Sequence, residues 1–140
     1  MTPVHDPPAH RLLLILTSGL LALLLLNLAV FDDLRSDPEA TVAGTFFAPQ
    51  HLSSVLACLL AVVLPARRHP WGRPVALAVA VIEIVAFAFF HAVPVEIGPS
   101  KPYWGDGMGD ALQWLGLVLI LGCSAGVVWA ARREQYATAT

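Results

Sequence analysis

The side chains able to do chemistry are few, and most sit in apolar surroundings. In AVIEIVAFAFFHAVP, residues 80–94, Glu83, Phe87 and His91 recur every four positions. That spacing keeps them on one side of a helix, drifting by about 80° in all. His51, Ser54 and Cys58 follow an i, i+3, i+7 stripe. Asp110 and Gln113 share one helical turn, and Asn27 lies near the end of the first long apolar run. If these faces converge, they form a polar pocket with Glu83 at its floor and His51, His91, Asp110, Gln113 and Asn27 around its rim. Two imidazoles and a carboxylate can ligate a transition metal, with His51 and His91 as its first ligands. His with Glu can relay protons. The same groups near an interface can hold a quinone headgroup.

Each residue also has a plain structural account. Glu83 can hydrogen-bond a carbonyl or a serine on another helix. An ionisable residue at bilayer depth costs roughly 2.5–3.5 kcal/mol on insertion scales, so it is expected to face a partner or a cavity. A histidine at a helix end can bond a local carbonyl. PYWGDGMGD, residues 102–110, holds two aspartates and three glycines, but its spacing is not that of a calcium-binding helix–loop–helix. Turn chemistry, with Asp110 as an N-terminal cap, accounts for it better. Cys58 and Cys123 fit neither a zinc pattern nor a redox pair, and are read as small buried apolar residues.

Lipid is the medium in which these residues must be positioned. The chain has 140 residues, 57% hydrophobic and 13% charged, against about 25% charged in an ordinary soluble domain. A helix needs roughly 20 apolar residues to cross the hydrocarbon. Spans are expected at about 12–31, 49–66, 74–93 and 110–131, within a single membrane domain covering residues 1–140. The apolar core of the first exceeds that of a secretory signal and no small-residue cleavage site follows it, so it is read as a retained span. Proline suits the first turn of a helix, which makes Pro49 and Pro74 acceptable starts, and Pro94 disfavours continuation beyond Val93. The expected fold is an all-α integral membrane protein, a four-helix antiparallel bundle.

Arginine placement sets the orientation. Arg11 precedes the first span, Arg67, Arg68 and Arg73 fill the loop after the second, and Arg132 and Arg133 follow the fourth. The other two loops carry Arg35 and Lys101 among seven acids. Cytoplasmic loops are enriched in Lys and Arg, so both termini are expected in the cytoplasm of a cell-membrane protein. Trp71 and Trp129 would mark the inner interface. Phe46, Phe47, Tyr103, Trp104 and Trp114 would mark the outer one.

In lipid, small residues mark the faces on which helices meet. Gly122 and Gly126 stand at GxxxG spacing; Ser53, Ala57 and Ala61, then Ala76 and Ala80, then Ser18 and Ala22 repeat the theme. These are expected to pack inside the bundle.

The net charge of −2 and the lack of a basic, aromatic-laced stripe argue against nucleic acid as a partner. Serine-hydrolase, phosphate-loop and dinucleotide signatures are absent, and the loops are too short for a catalytic core of their own. The first expectation is therefore a non-enzymatic accessory or structural subunit of a larger membrane complex, whose partners are the bilayer and other membrane chains or copies of itself. A small transport or ligand-binding bundle using Glu83 and the histidines is the alternative. A membrane oxidoreductase or assembly factor handling quinone, haem or metal is the third. No cofactor is specified by the sequence.

Overall fold

A computed structural model describes residues 8–31, 41–92, 103 and 110–137, and among these the chain is helical with no strand. Helix α1, Pro8–Leu26, runs on into a π-helical turn, Asn27–Phe31. A short helix α2, Val42–Phe46, is capped by the Thr41 hydroxyl, which accepts from the Gly44 amide at 3.0 Å. Helix α3 is Pro49–Ala66, and α4, Gly72–Phe87, ends like α1 in a π turn, Ala88–Ala92. Helix α5 is Ala111–Ala137. Four helical stretches are long and apolar enough to cross a membrane: Pro8–Val30, Pro49–Ala66, Gly72–Ala92 and Ala111–Arg133.

The second span falls where the sequence puts it. The first starts earlier because Pro8 is already set at helical φ and gives up no bond in the first turn. The third starts at Gly72, so Pro74 lies within a first turn whose N–H groups have no partner in the helix anyway. The fourth helix runs past Arg132 and Arg133, which are good helix formers. Those charges mark the end of the apolar stretch, not of the helix. Pro94 and the loops at 32–40 and 104–109 lie outside the described residues.

The principal helix contacts run from α1 to α3, α3 to α4, α4 to α5 and α5 back to α1. Leu13, Leu20 and Leu24 from α1, Cys58 and Ala61 from α3, Ala76, Val79 and Ala80 from α4, and Ile120, Val127 and Ala130 from α5 form the buried interior. Ile15, Leu56, Ile82 and Val118 point outward. An outward apolar rim of this kind suits contact with lipid tails.

Small residues serve this interior only in part. Ala61, Ala76 and Ala80 are buried as expected, Ala57 is half-buried, and a Cβ added to Gly126 would touch Leu16 Cδ2 at 3.3 Å. Ser18, Ala22, Ser53 and Gly122 are instead exposed. A Cβ at Gly122 would meet nothing within 4 Å. Helix α1 turns Leu13, Thr17, Leu20 and Leu24 inward. The reason is complementary size: where a neighbour offers a small residue, as Gly126 does to Leu16, the facing side chain is large.

The turn between α3 and α4 is held by the backbone. Arg68 takes φ 53°. Its N–H donates to the Pro65 carbonyl at 2.8 Å, and that of His69 donates to the Leu64 carbonyl at 2.9 Å. This is the paired bonding of a Schellman C-cap, here with arginine in the left-handed position usually given to glycine. Gly72 then comes so close to α3 that an added Cβ would lie 2.7 Å from the Pro65 nitrogen.

Candidate functional site

Glu83 sits on the buried side of α4, between the turns that hold Ala80 and Phe87, and is only 2% exposed. Its neighbours come from α3. The Cys58 thiol points at Oε1 with an S···O separation of 3.9 Å. The Ser54 hydroxyl, one turn along the same face, also addresses the carboxyl. Oε2 has no hydrogen-bond partner. A buried polar oxygen normally has one, so the gap marks the carboxyl as incomplete. Ser54 and Cys58 of the i, i+3, i+7 stripe thus both meet Glu83, and Cys58, read from sequence as inert, is a polar contact of the carboxyl.

The other expected members of the pocket are engaged elsewhere. His51 Nδ1 lies 2.8 Å from the Thr45 carbonyl, tying the start of α3 to the end of α2. His91 is half-buried in a run of rings. Its centroid is 5.5 Å from Phe87 and 4.6 Å from Tyr103, on which it stacks at 25°, and Tyr103 in turn meets Trp114 edge-on at 5.6 Å. The Tyr103 amide also donates to the His91 carbonyl at 3.0 Å. Tyr103, expected near the outer interface, is 3% exposed and packed between the rings of His91 and Trp114. Trp71 and Trp129 are exposed, with the Arg133 guanidinium 4.0 Å above the Trp129 ring.

Asp110 and Gln113 form a reciprocal cap at the start of α5. Asp110 Oδ1 accepts from the amides of Leu112 and Gln113 at 3.0 and 3.1 Å, and Gln113 Oε1 accepts from the Asp110 amide at 2.9 Å. This capping box satisfies donors that the first turn cannot bond internally. Asn27 opens the π turn of α1, which touches α5, and is buried with Oδ1 unpartnered. π turns are over-represented at functional sites. The structure therefore separates Glu83, with Ser54 and Cys58, from the ring cluster that holds His91 and from Asn27 in the π turn of α1.

Among the described residues, no group of three or more His, Cys, Asp or Glu side chains is placed to share a metal ion. Both cysteines are free. Cys123 gives its thiol proton to the Leu16 carbonyl at 3.3 Å.

Sequence reasoning missed two interior residues. Thr17 and Ser124 are both buried, and Ser124 Oγ has no partner. Thr17 donates to the Leu13 carbonyl of its own helix at 2.9 Å. Ser124 sits inside GCSAG, where the flanking glycines drew the reading toward packing. Its signal was the hydroxyl in an apolar span, the same signal that singled out Glu83. The chain matches no protein-family model, no curated protein and no solved structure, so the chemistry of the site is to be read from these residues.

Proposed function

We propose that this chain is a non-enzymatic accessory or structural subunit of a larger complex in the cell membrane. In this reading it crosses the bilayer four times as an antiparallel bundle with both termini in the cytoplasm. The arginine distribution supports the orientation: Arg11, Arg67, Arg68, Arg73, Arg132 and Arg133 fall on one side. A reporter fused after Thr140 is expected to be active only in its cytoplasm-dependent form.

The observation that carries the subunit reading is the outward placement of small residues. Ser18 and Ala22 on α1, and Gly122 and Ala125 on α5, are exposed on neighbouring helices. They lie at matching depth, since a Cβ at Gly19 would be 3.6 Å from Cys123 Sγ. Lipid tails gain nothing from a small residue, whereas a partner helix gains a close approach to the backbone. Glu83, by contrast, faces inward, so it is not the group that meets a partner.

Purification from the native host in mild detergent tests this. The expected result is a stoichiometric membrane partner that is lost in Gly122→Leu, while that variant keeps the size and melting behaviour of the isolated chain. A particle with no partner and no second copy, unchanged by Gly122→Leu, overturns the reading.

A further inference from the structure

The interior around Glu83 carries an inference independent of any partner. Four buried polar side chains, Thr17, Cys58, Glu83 and Ser124, come one from each long helix. Two contacts fix the register of α1 against α5: Cys123 with the Leu16 carbonyl, and Gly126 with the Leu16 side chain. Thr17 follows Leu16 directly, and Ser124 lies between Cys123 and Gly126, so the two share a depth. The ring cluster puts His91 and Trp114 at similar depth through Tyr103. From there Glu83 lies about 12 Å down α4 and Ser124 about 15 Å down α5 at 1.5 Å per residue. Helical side chains lean toward their own N-terminus, which moves the carboxyl of Glu83 further toward the level of Ser124 and Thr17.

This layer lacks a positive charge of its own. Among the described residues every arginine stands at a helix end or in the 67–71 turn. The nearest along α4, Arg73, is roughly 15 Å from Glu83 by helical rise. A proton on Oε2 does not complete the site either. An ionised Oε2 needs a donor or a cation, and a protonated one is a donor that needs an acceptor. In both states the atom is one partner short.

We infer that Glu83, with the hydroxyl oxygens of Ser54, Ser124 and Thr17, holds a monovalent alkali cation between the helices. The chemistry selects that class. Hard cations take oxygen ligands, and the layer offers carboxylate and hydroxyl oxygens. A single carboxylate matches a single positive charge, whereas a divalent ion would leave net charge buried. Soft metals are disfavoured because, among the described residues, no third His, Cys, Asp or Glu side chain joins Glu83 and Cys58 to complete a metal site. The Thr17 hydroxyl donates to the Leu13 carbonyl, so the lone pairs of its oxygen remain for a cation.

The test is labelling of the full-length chain by dicyclohexylcarbodiimide in mild detergent, read by peptide mass, with sodium, potassium or choline chloride at equal ionic strength. The reagent adds to protonated carboxyls in apolar settings, so a bound cation shields Glu83. Expected is labelling at Glu83 in choline that sodium or potassium slows several-fold and saturably. Ser124→Ala should need more salt for the same protection, and Glu83→Gln should not label at this position. Equal labelling in all three salts overturns the inference and leaves Glu83 holding a proton alone. If the reagent labels Glu83 in none of them, thermal unfolding decides. A sodium- or potassium-specific rise in Tm that Glu83→Gln lacks supports the site, and identical Tm values in all three salts overturn it.

Discussion

The two ends of the helical assembly are closed by different physics. At the end holding the 67–71 turn, the chain is fixed by its own backbone: a left-handed Arg68, two short carbonyl bonds, and Gly72 pressed against Pro65. At the other end, α4 and α5 are joined through a stack of rings, Phe87, His91, Tyr103 and Trp114, with Tyr103 arriving from the loop between them. Both helices that end there, α1 and α4, do so in π turns. The first closure is local in sequence and the second is not. A local closure survives loss of distant contacts; a ring stack depends on every member.

The largest expected effect follows from that dependence. Tyr103→Ala removes the ring that bridges His91 and Trp114, and truncation of a buried aromatic costs roughly 3–5 kcal/mol. Unfolding in a denaturing detergent titration should shift by about that amount. Tyr103→Phe, which keeps the stack, should retain the larger part of the stability. An equal loss in both would move the weight from the ring to the hydroxyl and break the comparison as drawn. At the backbone-held end, Gly72→Ala puts a methyl within 2.7 Å of the Pro65 nitrogen and 2.8 Å of its Cα. Neither atom can rotate away, so α4 must shift against α3, at about 1–3 kcal/mol. If Gly72→Ala proves neutral in the same titration, the close approach does not hold the turn.

The same contrast explains what the sequence made legible. Span positions were readable because apolar length is a property of a contiguous stretch. The tight turn was readable because Pro and Gly punctuate it, and the Asp110 cap because its partner Gln113 is three residues away. Which side of each helix faces inward was readable only where a polar residue broke the apolar background. Glu83 did so and is buried; the stripe of Ser54 and Cys58 was legible, but its approach to Glu83 was not. Elsewhere the cue fails. In water an apolar stripe points to the core, but in lipid both faces of a helix are apolar, so Ser18, Ala22 and Gly122 gave no sign that they face out. The burial of Tyr103 was illegible for a related reason: an aromatic beside an apolar span has the same local sequence whether it is exposed or packed among other rings.

The smallest expected effect is also the sharpest probe of the backbone-held end, because its sign is opposite. Arg68 occupies φ 53°, a conformation that costs an ordinary L-residue roughly 1–2 kcal/mol. Glycine adopts it freely, at the expense of a more flexible unfolded chain worth roughly 0.5–1 kcal/mol. Arg68→Gly should therefore stabilise the chain slightly, by up to about 1 kcal/mol. Arg68→Val, β-branched and unable to relax in this region, should destabilise it. Arg67 and Arg73 keep the positive charge of the loop in either variant, so a difference between the two reports on the turn. A glycine that destabilises as much as valine would show that the Arg68 side chain, not its backbone conformation, is what the turn requires. The two ends of the molecule would then both be closed by side chains.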